Sequence, residues 1–157
     1  MHHDSIDDEI RSLAFEFFFW FSRFEFALKK NGFLKNKNPG DLAKPNWESF
    51  VARHQVDYKI SESAEKLVHE KPKIQIVGEC RGELTFRDLR FTDQTSELEK
   101  VKTSLNTVRN NLFHGGKHGG EDWGDRVRSR MLLSLSICIL NELAELSDIE
   151  SDYRCEY

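Results

Sequence analysis

Between Ile6 and about Lys30 the chain carries apolar side chains around the whole circumference of one expected helix, and no other feature constrains the fold more. Asp4 or Ser5 stands where a cap belongs, acidic residues fill the first turn, and Lys29, Lys30, Asn31 and Gly32 form a stop. Leu13, Phe17, Trp20, Phe24 and Leu28 line one face, while Phe15, Phe18, Phe19, Ser22 and Phe26 fall largely elsewhere. A helix apolar on several sides must be buried on more than one of them. A chain of 157 residues makes one domain with a real core and is short for two. The second burying surface is therefore expected to be another protomer, because a large aromatic patch is rarely left open. A central core helix in a monomer is the plainer alternative.

The remaining periodicity also points to helices. Leu98, Val101, Leu105, Val108 and Leu112 repeat at alternating spacings of three and four, which predicts a helix over Glu97 to Phe113 with one core-facing stripe. Gly115-Gly116 ends it, and a Gly-rich loop follows up to Gly124. A last helix is expected from about Asp125 to Leu146, its apolar side carrying Val127, Met131, Leu132, Leu135, Ile139, Leu143 and Leu146. Trp47 to about Arg53 and Ser61 to His69 read as short helices, and Asn36 to Asn46 as a loop. Ile74 to Val77 alternates and is β-branched, so it reads as a short strand or extended loop. Gly78 to Thr95 is ambiguous, with Leu84, Phe86, Leu89 and Phe91 expected against the bundle. The expectation is an all-α up-and-down bundle of four to five helices with an irregular or short-strand insertion. It spans 1–157 as a single domain, with a flexible tail over 148–157.

Composition narrows the function classes. The net charge of −4 argues mildly against a high-affinity, non-specific nucleic-acid binder and leaves room for a local basic site. Acidic residues gather at the two ends, and Lys100 to Arg130 is richer in positive charge. Cys80, Cys138 and Cys155 are odd in number, widely spaced and without a C-x-x-C pair. They read as free thiols of a cytoplasmic protein, with Cys138 buried in its apolar run. The run Phe17 to Phe21 is too short for a membrane span and follows acidic residues, so neither a span nor a signal sequence is expected.

The chemistry-bearing stretch is Arg109-Asn110-Asn111-Leu112-Phe113-His114-Gly115-Gly116-Lys117. Arg109 and His114 are five residues apart, about 140° of rotation and about 7.5 Å of rise on a helix, so they do not share one face. Asn110 and His114 are i,i+4 neighbours and can touch. His114 falls at the helix end, where the negative end of the dipole favours a protonated imidazole. The glycines beyond leave that end open to a substrate backbone. Cleavage of RNA by its own 2′-hydroxyl needs a base, charge stabilisation at the phosphorane and an acid for the leaving oxygen. His suits the proton transfers and Arg the phosphorane. One helix end supplies one of each; two ends across a two-fold axis supply two of each. The apolar first helix and this motif thus point to a dimer with a shared cleft.

Arg-x4-His with Asn directly after the Arg, near the end of a helix in a small bundle, resembles the HEPN superfamily, which includes prokaryotic toxin and phage-defence ribonucleases. The stretch is similar to HEPN proteins whose signature reads R-N-N-L-F-H-G-G-K. Trp20 to Lys30, WFSRFEFALKK, also looks like the first helix of such proteins. The likeness covers the chain outside about 36–95. It implies a helical homodimer and a metal-independent, cofactor-free endoribonuclease that leaves a cyclic phosphate and a 5′-hydroxyl. It carries Arg109 and His114 over as catalytic residues and Asn110 as the positioning residue. Glu25, Arg23 and Asn111 follow as supporting residues. RNA is then the substrate, and an antitoxin or regulatory protein a further partner. One departure stands out. HEPN toxins paired with a nucleotidyltransferase antitoxin commonly have Tyr two residues after the His; here that residue is Gly116, which puts that mode of regulation in doubt.

Other readings remain open. Arg109, Asn110 and His114 can simply cap and brace the bundle. The superfamily also has members that bind RNA or nucleotides without cleaving, and a purely structural dimerisation domain is a third class. His114, His118 and Glu121 lie close together, but Gly115-Gly116 interrupts the helical H-x3-H spacing and no H-E-x-x-H pattern is present, so a metal site is disfavoured. Lys117, His118, Arg126 and Arg130 flank the loop after the motif and are candidates for an RNA-binding rim. The alternative for such residues is a solvated face paired with acids.

Overall fold

The computed structural model of the chain describes residues 8–113 and 125–155. Among these the fold is mainly α. The order is α1 (Asp8–Lys30), α2 (Trp47–His54), α3 (Glu62–His69), β1 (Lys73–Val77), β2 (Leu84–Asp88), α4 (Glu97–Phe113), α5 (Arg126–Leu146) and α6 (Glu150–Arg154). α1 packs along α5 and α6, α3 lies against α4 and α5, and α2 lies against α4.

Local chemistry sets the element boundaries. α1 ends in a Schellman arrangement: Gly32 takes φ +83°, its N–H donates to the Lys29 carbonyl, and the Phe33 N–H donates to the Leu28 carbonyl. That turn sends the chain back so that Phe33 is buried. Asn46, Ser61 and Asp125 each accept a hydrogen bond from a backbone N–H three residues on, capping α2, α3 and α5. Ser96 Oγ accepts from the Glu99 N–H and does the same for α4.

The core is continuous and aromatic at one end. Phe17, Phe24, Phe50 and Tyr153 are fully buried, and Phe24 stacks on Trp47 with ring centroids 5.0 Å apart. Each fully buried side chain of this size contributes about 1.5–3 kcal/mol relative to exposure. The α4 stripe is as its spacing predicts, with Leu98, Val101, Leu105 and Val108 buried and Leu112 packed on the core. On α1 the buried residues are Ile10, Phe17, Phe21, Phe24, Ala27 and Leu28, while Phe15, Phe18, Phe19 and Phe26 are exposed.

Several expectations need correcting. Among the described residues six helices stand in place of the expected four to five, because Glu150–Arg154 forms α6 in the stretch read as a flexible tail. Ile149 and Tyr153 are buried, and Arg23 of α1 donates through Nε to the Tyr153 carbonyl at 3.2 Å and through Nη2 to the Asp152 carbonyl. These anchors turn a polar-looking tail into α6. Cys138 is exposed, like Cys80 and Cys155. α5 buries Ser136, Ile139 and Leu140 instead and turns Cys138 outward beside Ser63 and Glu142. Val127 and Leu146 also face outward.

The ambiguous segment contains a hairpin, with Lys73 opposite Asp88 and Val77 opposite Leu84. The Gly78 N–H donates to the Glu83 carbonyl and Gly82 takes φ +80° in the connecting turn. Leu89 is buried as expected, Phe86 and Phe91 are half-buried, and Leu84 is exposed at the turn end of the hairpin. Among the described residues, no helix is long and apolar enough to cross a membrane.

Candidate functional site

The last turns of α4 distribute consecutive side chains to different neighbours. Arg109 is half-buried; its Nη1 donates to Asn110 Oδ1 at 3.0 Å. Its guanidinium lies over two rings, with Cζ 5.7 Å from the Phe21 centroid and 5.3 Å from that of Phe113. Asn111 turns the other way and donates through Nδ2 to the Lys73 carbonyl at 2.8 Å, pinning β1 to the helix. Leu112 returns to the core, and Phe113 packs on Phe18 with centroids 5.1 Å apart.

Arg109 has no carboxylate within ion-pair distance among the described residues. Two rings and an amide hold the group in place, and none of them cancels its charge. Each cation–π contact contributes about 0.5–1 kcal/mol at a partly solvated site. The guanidinium keeps its donors for an incoming anion, in the planar fork that suits a phosphate.

Arg109 and Asn110 line an open cleft of about 710 Å³ between α4, α1 and the segment leading into α2. Lys35 and Lys44 line it from the segment before α2, together with Glu25 of α1 and Trp47 of α2. Trp47 Nε1 donates to Glu25 Oε1 at 3.0 Å, which fixes the carboxylate and ties the start of α2 to α1. Four cations and two carboxylates line the cleft, so its charge balance is the reverse of the acidic chain. Lys102 is held by Glu99 at 2.7 Å, and Lys35 approaches Glu48 only to 3.9 Å. Lys44 has no ion-pair partner among the described residues.

The structure therefore brings Arg109, Asn110 and Glu25 together and separates the other expected supporters. Arg23 braces α6, with its guanidinium 4.7 Å from the Phe26 centroid. Asn111 braces the hairpin. On α5, Arg126 is exposed, and Arg130 approaches Glu9 to 2.6 Å across a solvated surface, a pair of the kind worth about 0–1 kcal/mol. Arg128 binds both the Glu70 carboxylate, at 2.9 Å, and the Glu70 carbonyl, at 2.8 Å. On this side, then, Arg128 and Arg130 are paired with acids and Arg126 is exposed. His114, Lys117 and His118 lie outside the described residues, as does Glu121. Among the described residues no group of three or more His, Cys, Asp or Glu is arranged to hold a metal ion.

Sequence reasoning missed Lys35, Lys44, Trp47, Lys102 and Asn106 as lining residues. Lys102, Asn106 and Arg109 follow one another at spacings of four and three, so one polar edge of α4 was readable. Lys35 and Lys44 reach the cleft only because the chain turns back after Gly32, and no local pattern announces that. No protein-family model, curated protein or solved structure matches this chain.

Proposed function

We propose that this protein is a metal-independent endoribonuclease of the HEPN type, working as a homodimer with a composite site. The observation that carries the reading is Arg109: a half-buried guanidinium with no carboxylate partner among the described residues, facing a polar cleft in the last turn and a half before His114. The resemblance of Arg109 to Lys117 to HEPN signatures supplies the chemistry.

In this reading a base removes the proton from a ribose 2′-hydroxyl, and its oxygen attacks the adjacent phosphorus. The bond from phosphorus to the 5′-oxygen breaks, and that oxygen takes a proton. The products are a 2′,3′-cyclic phosphate and a 5′-hydroxyl, with no water consumed. His114 handles protons, since its unperturbed pKa of about 6.5 lies near working pH. Arg109 stabilises the charge that builds on the phosphorane oxygens. Asn110, bonded to Arg109, sets the guanidinium plane and positions the phosphate.

The exposed stripe Phe15, Phe18, Phe19 and Phe26 supports the dimer, because Phe18 meets Phe113 and so joins the stripe to the end of α4. A second copy seated there brings a second α4 end to the first. An antitoxin or regulatory protein that covers this face or the cleft would silence the enzyme.

The test is cleavage of RNA in EDTA with analysis of the ends. Products that polynucleotide kinase labels at the 5′ end without prior phosphatase treatment support the reading. Products with 5′-phosphates contradict it. Binding without cleavage by the intact dimer selects the alternative, a non-catalytic RNA- or nucleotide-binding module.

A further inference from the structure

We infer that the cleft between α4 and the Lys35–Pro45 segment is the track for the RNA strand, gripped through its phosphates by Lys35, Lys44, Lys102 and Arg109 and not through its bases. This deepens the ribonuclease reading and rests on it for the identity of the polymer. It places the binding surface in the cleft, apart from the α5 residues Arg126 and Arg130, which do not line it.

The geometry gives the track a length. Lys102 and Arg109 lie seven residues apart on α4, about 10 Å at 1.5 Å per residue. The cleft volume of about 710 Å³ admits a strand segment. The cations come from both α4 and the Lys35–Pro45 segment, so a phosphate chain in the cleft meets positive charge from two elements. Asn106 and Asn110 follow the same edge of α4 and offer neutral polar groups between the charges.

The manner of recognition follows from what the cleft lacks. Its aromatic lining residue, Trp47, is buried, stacked on Phe24, and spends its indole N–H on Glu25. It offers no free face for a base, so the stacking that usually holds single strands is absent among the described lining residues. Phosphate contacts position a strand and carry no sequence information. Binding in the cleft is therefore strongly salt-dependent and weakly sequence-dependent, and any preference at the cut site arises at the motif itself.

The test uses the full chain, EDTA and a fluorescent 2′-O-methyl RNA of mixed sequence, which binds but cannot be cleaved. Affinity is read by anisotropy across a salt series for the wild type, a Lys35→Ala/Lys44→Ala double variant, and a Lys30→Ala/Lys37→Ala control. Lys30 and Lys37 do not line the cleft, and the two doubles change net charge equally. The expected result is a loss of about tenfold or more for the cleft pair near about 0.15 M salt, with the control close to wild type. The slope of log K against log salt falls by about 1.4 in the cleft pair, about 0.7 for each phosphate contact removed. Absent binding by the wild type, equal loss in both doubles, or no loss in the cleft pair overturns the inference. Displacement of the RNA by polyglutamate at equal charge concentration also overturns it, in favour of an acidic peptide. Cleavage of ordinary RNA is read separately with the same proteins. Cleavage with an unaltered cleft pair rejects the track and keeps the ribonuclease; cleft-dependent binding without wild-type cleavage does the opposite.

Discussion

The Arg109 guanidinium stands over the Phe113 ring at 5.3 Å, and that ring in turn packs on Phe18 at 5.1 Å. One aromatic side chain thus joins the charged end of α4 to the exposed stripe of α1. Anything that covers the stripe also shapes the surroundings of Arg109, which would give the proposed dimer a direct physical route to the site.

The stripe is therefore expected to be dispensable for folding and required for assembly. Phe15 and Phe19 are 70% and 43% exposed, so Phe15→Glu with Phe19→Glu leaves the core intact. Sedimentation velocity is expected to show a dimer for the wild type and a monomer for the variant, with cleavage lost alongside. A wild-type monomer that cleaves would break the link between stripe and site.

Arg23 is assigned to architecture. Its hydrogen bonds to the Asp152 and Tyr153 carbonyls hold α6 on α1. Hydrogen bonds from a charged donor are worth about 1.5–3 kcal/mol, so Arg23→Ala is expected to lower stability by about 2 kcal/mol in urea melts. Cleavage per folded molecule is expected to stay at the wild-type rate; a selective loss of activity would return Arg23 to the site.

Much of the architecture was legible because helical periodicity survives in the sequence. The α4 stripe from Leu98 to Leu112 is regular, while the Gly-Gly stop expected beyond it lies outside the described residues. What failed depended on partners distant in sequence. α6 looks like a polar tail because only Ile149 and Tyr153 are buried, and its anchor, Arg23, lies on the first helix. Cys138 sits in an apolar run but rotates outward as α5 turns its serines inward, Ser129 and Ser136 both being buried. At the site, the motif named Arg109 and Asn110. The lysines of the segment before α2 carry no signature, since a lysine in a loop acquires meaning only when the chain folds back on α4.

Tyr153 supplies a test of the core. Its hydroxyl is buried with no hydrogen-bond partner among the described residues. Removing an unsatisfied buried group recovers part of its desolvation cost, so Tyr153→Phe is expected to stabilise the fold by about 1 kcal/mol. Burial raises the Tyr153 pKa above its ordinary 10.0, with Arg154 opposing and Glu16 reinforcing, and burial with Glu142 and Glu97 pushes Tyr58 up to about 12. Between pH 10 and 12 the folded chain holds phenolic protons that the unfolded chain has released. The corresponding stability is full below pH 10 and declines as pH rises through that window. Thermal melts should show a shallower alkaline decline in Tyr153→Phe, with the Tyr58 part remaining; identical slopes would refute the assignment.

His54 acts at the other end of the scale. It packs beside Phe50 at 4.8 Å and Phe33 at 6.1 Å. Burial lowers its pKa below the ordinary 6.5, Arg53 lowers it further and Asp57 opposes. The folded state prefers the neutral ring, so this stability is present above pH 6.5 and is lost as pH falls through the depressed value. His54→Leu is expected to flatten the decline in melting temperature on acidification below pH 6.5. An unchanged decline would show that His54 is not its source.

The central claim is that Arg109 and His114 form a metal-independent RNA-cleaving site. The direct measurement is the single-turnover cleavage rate of a defined RNA in EDTA for the wild type, Arg109→Ala and His114→Ala, each checked for its oligomeric state. Cleavage by the wild type is expected, with losses of about 100-fold or more in each variant and assembly unchanged. Wild-type rates in either variant, or cleavage that EDTA abolishes, would contradict the claim.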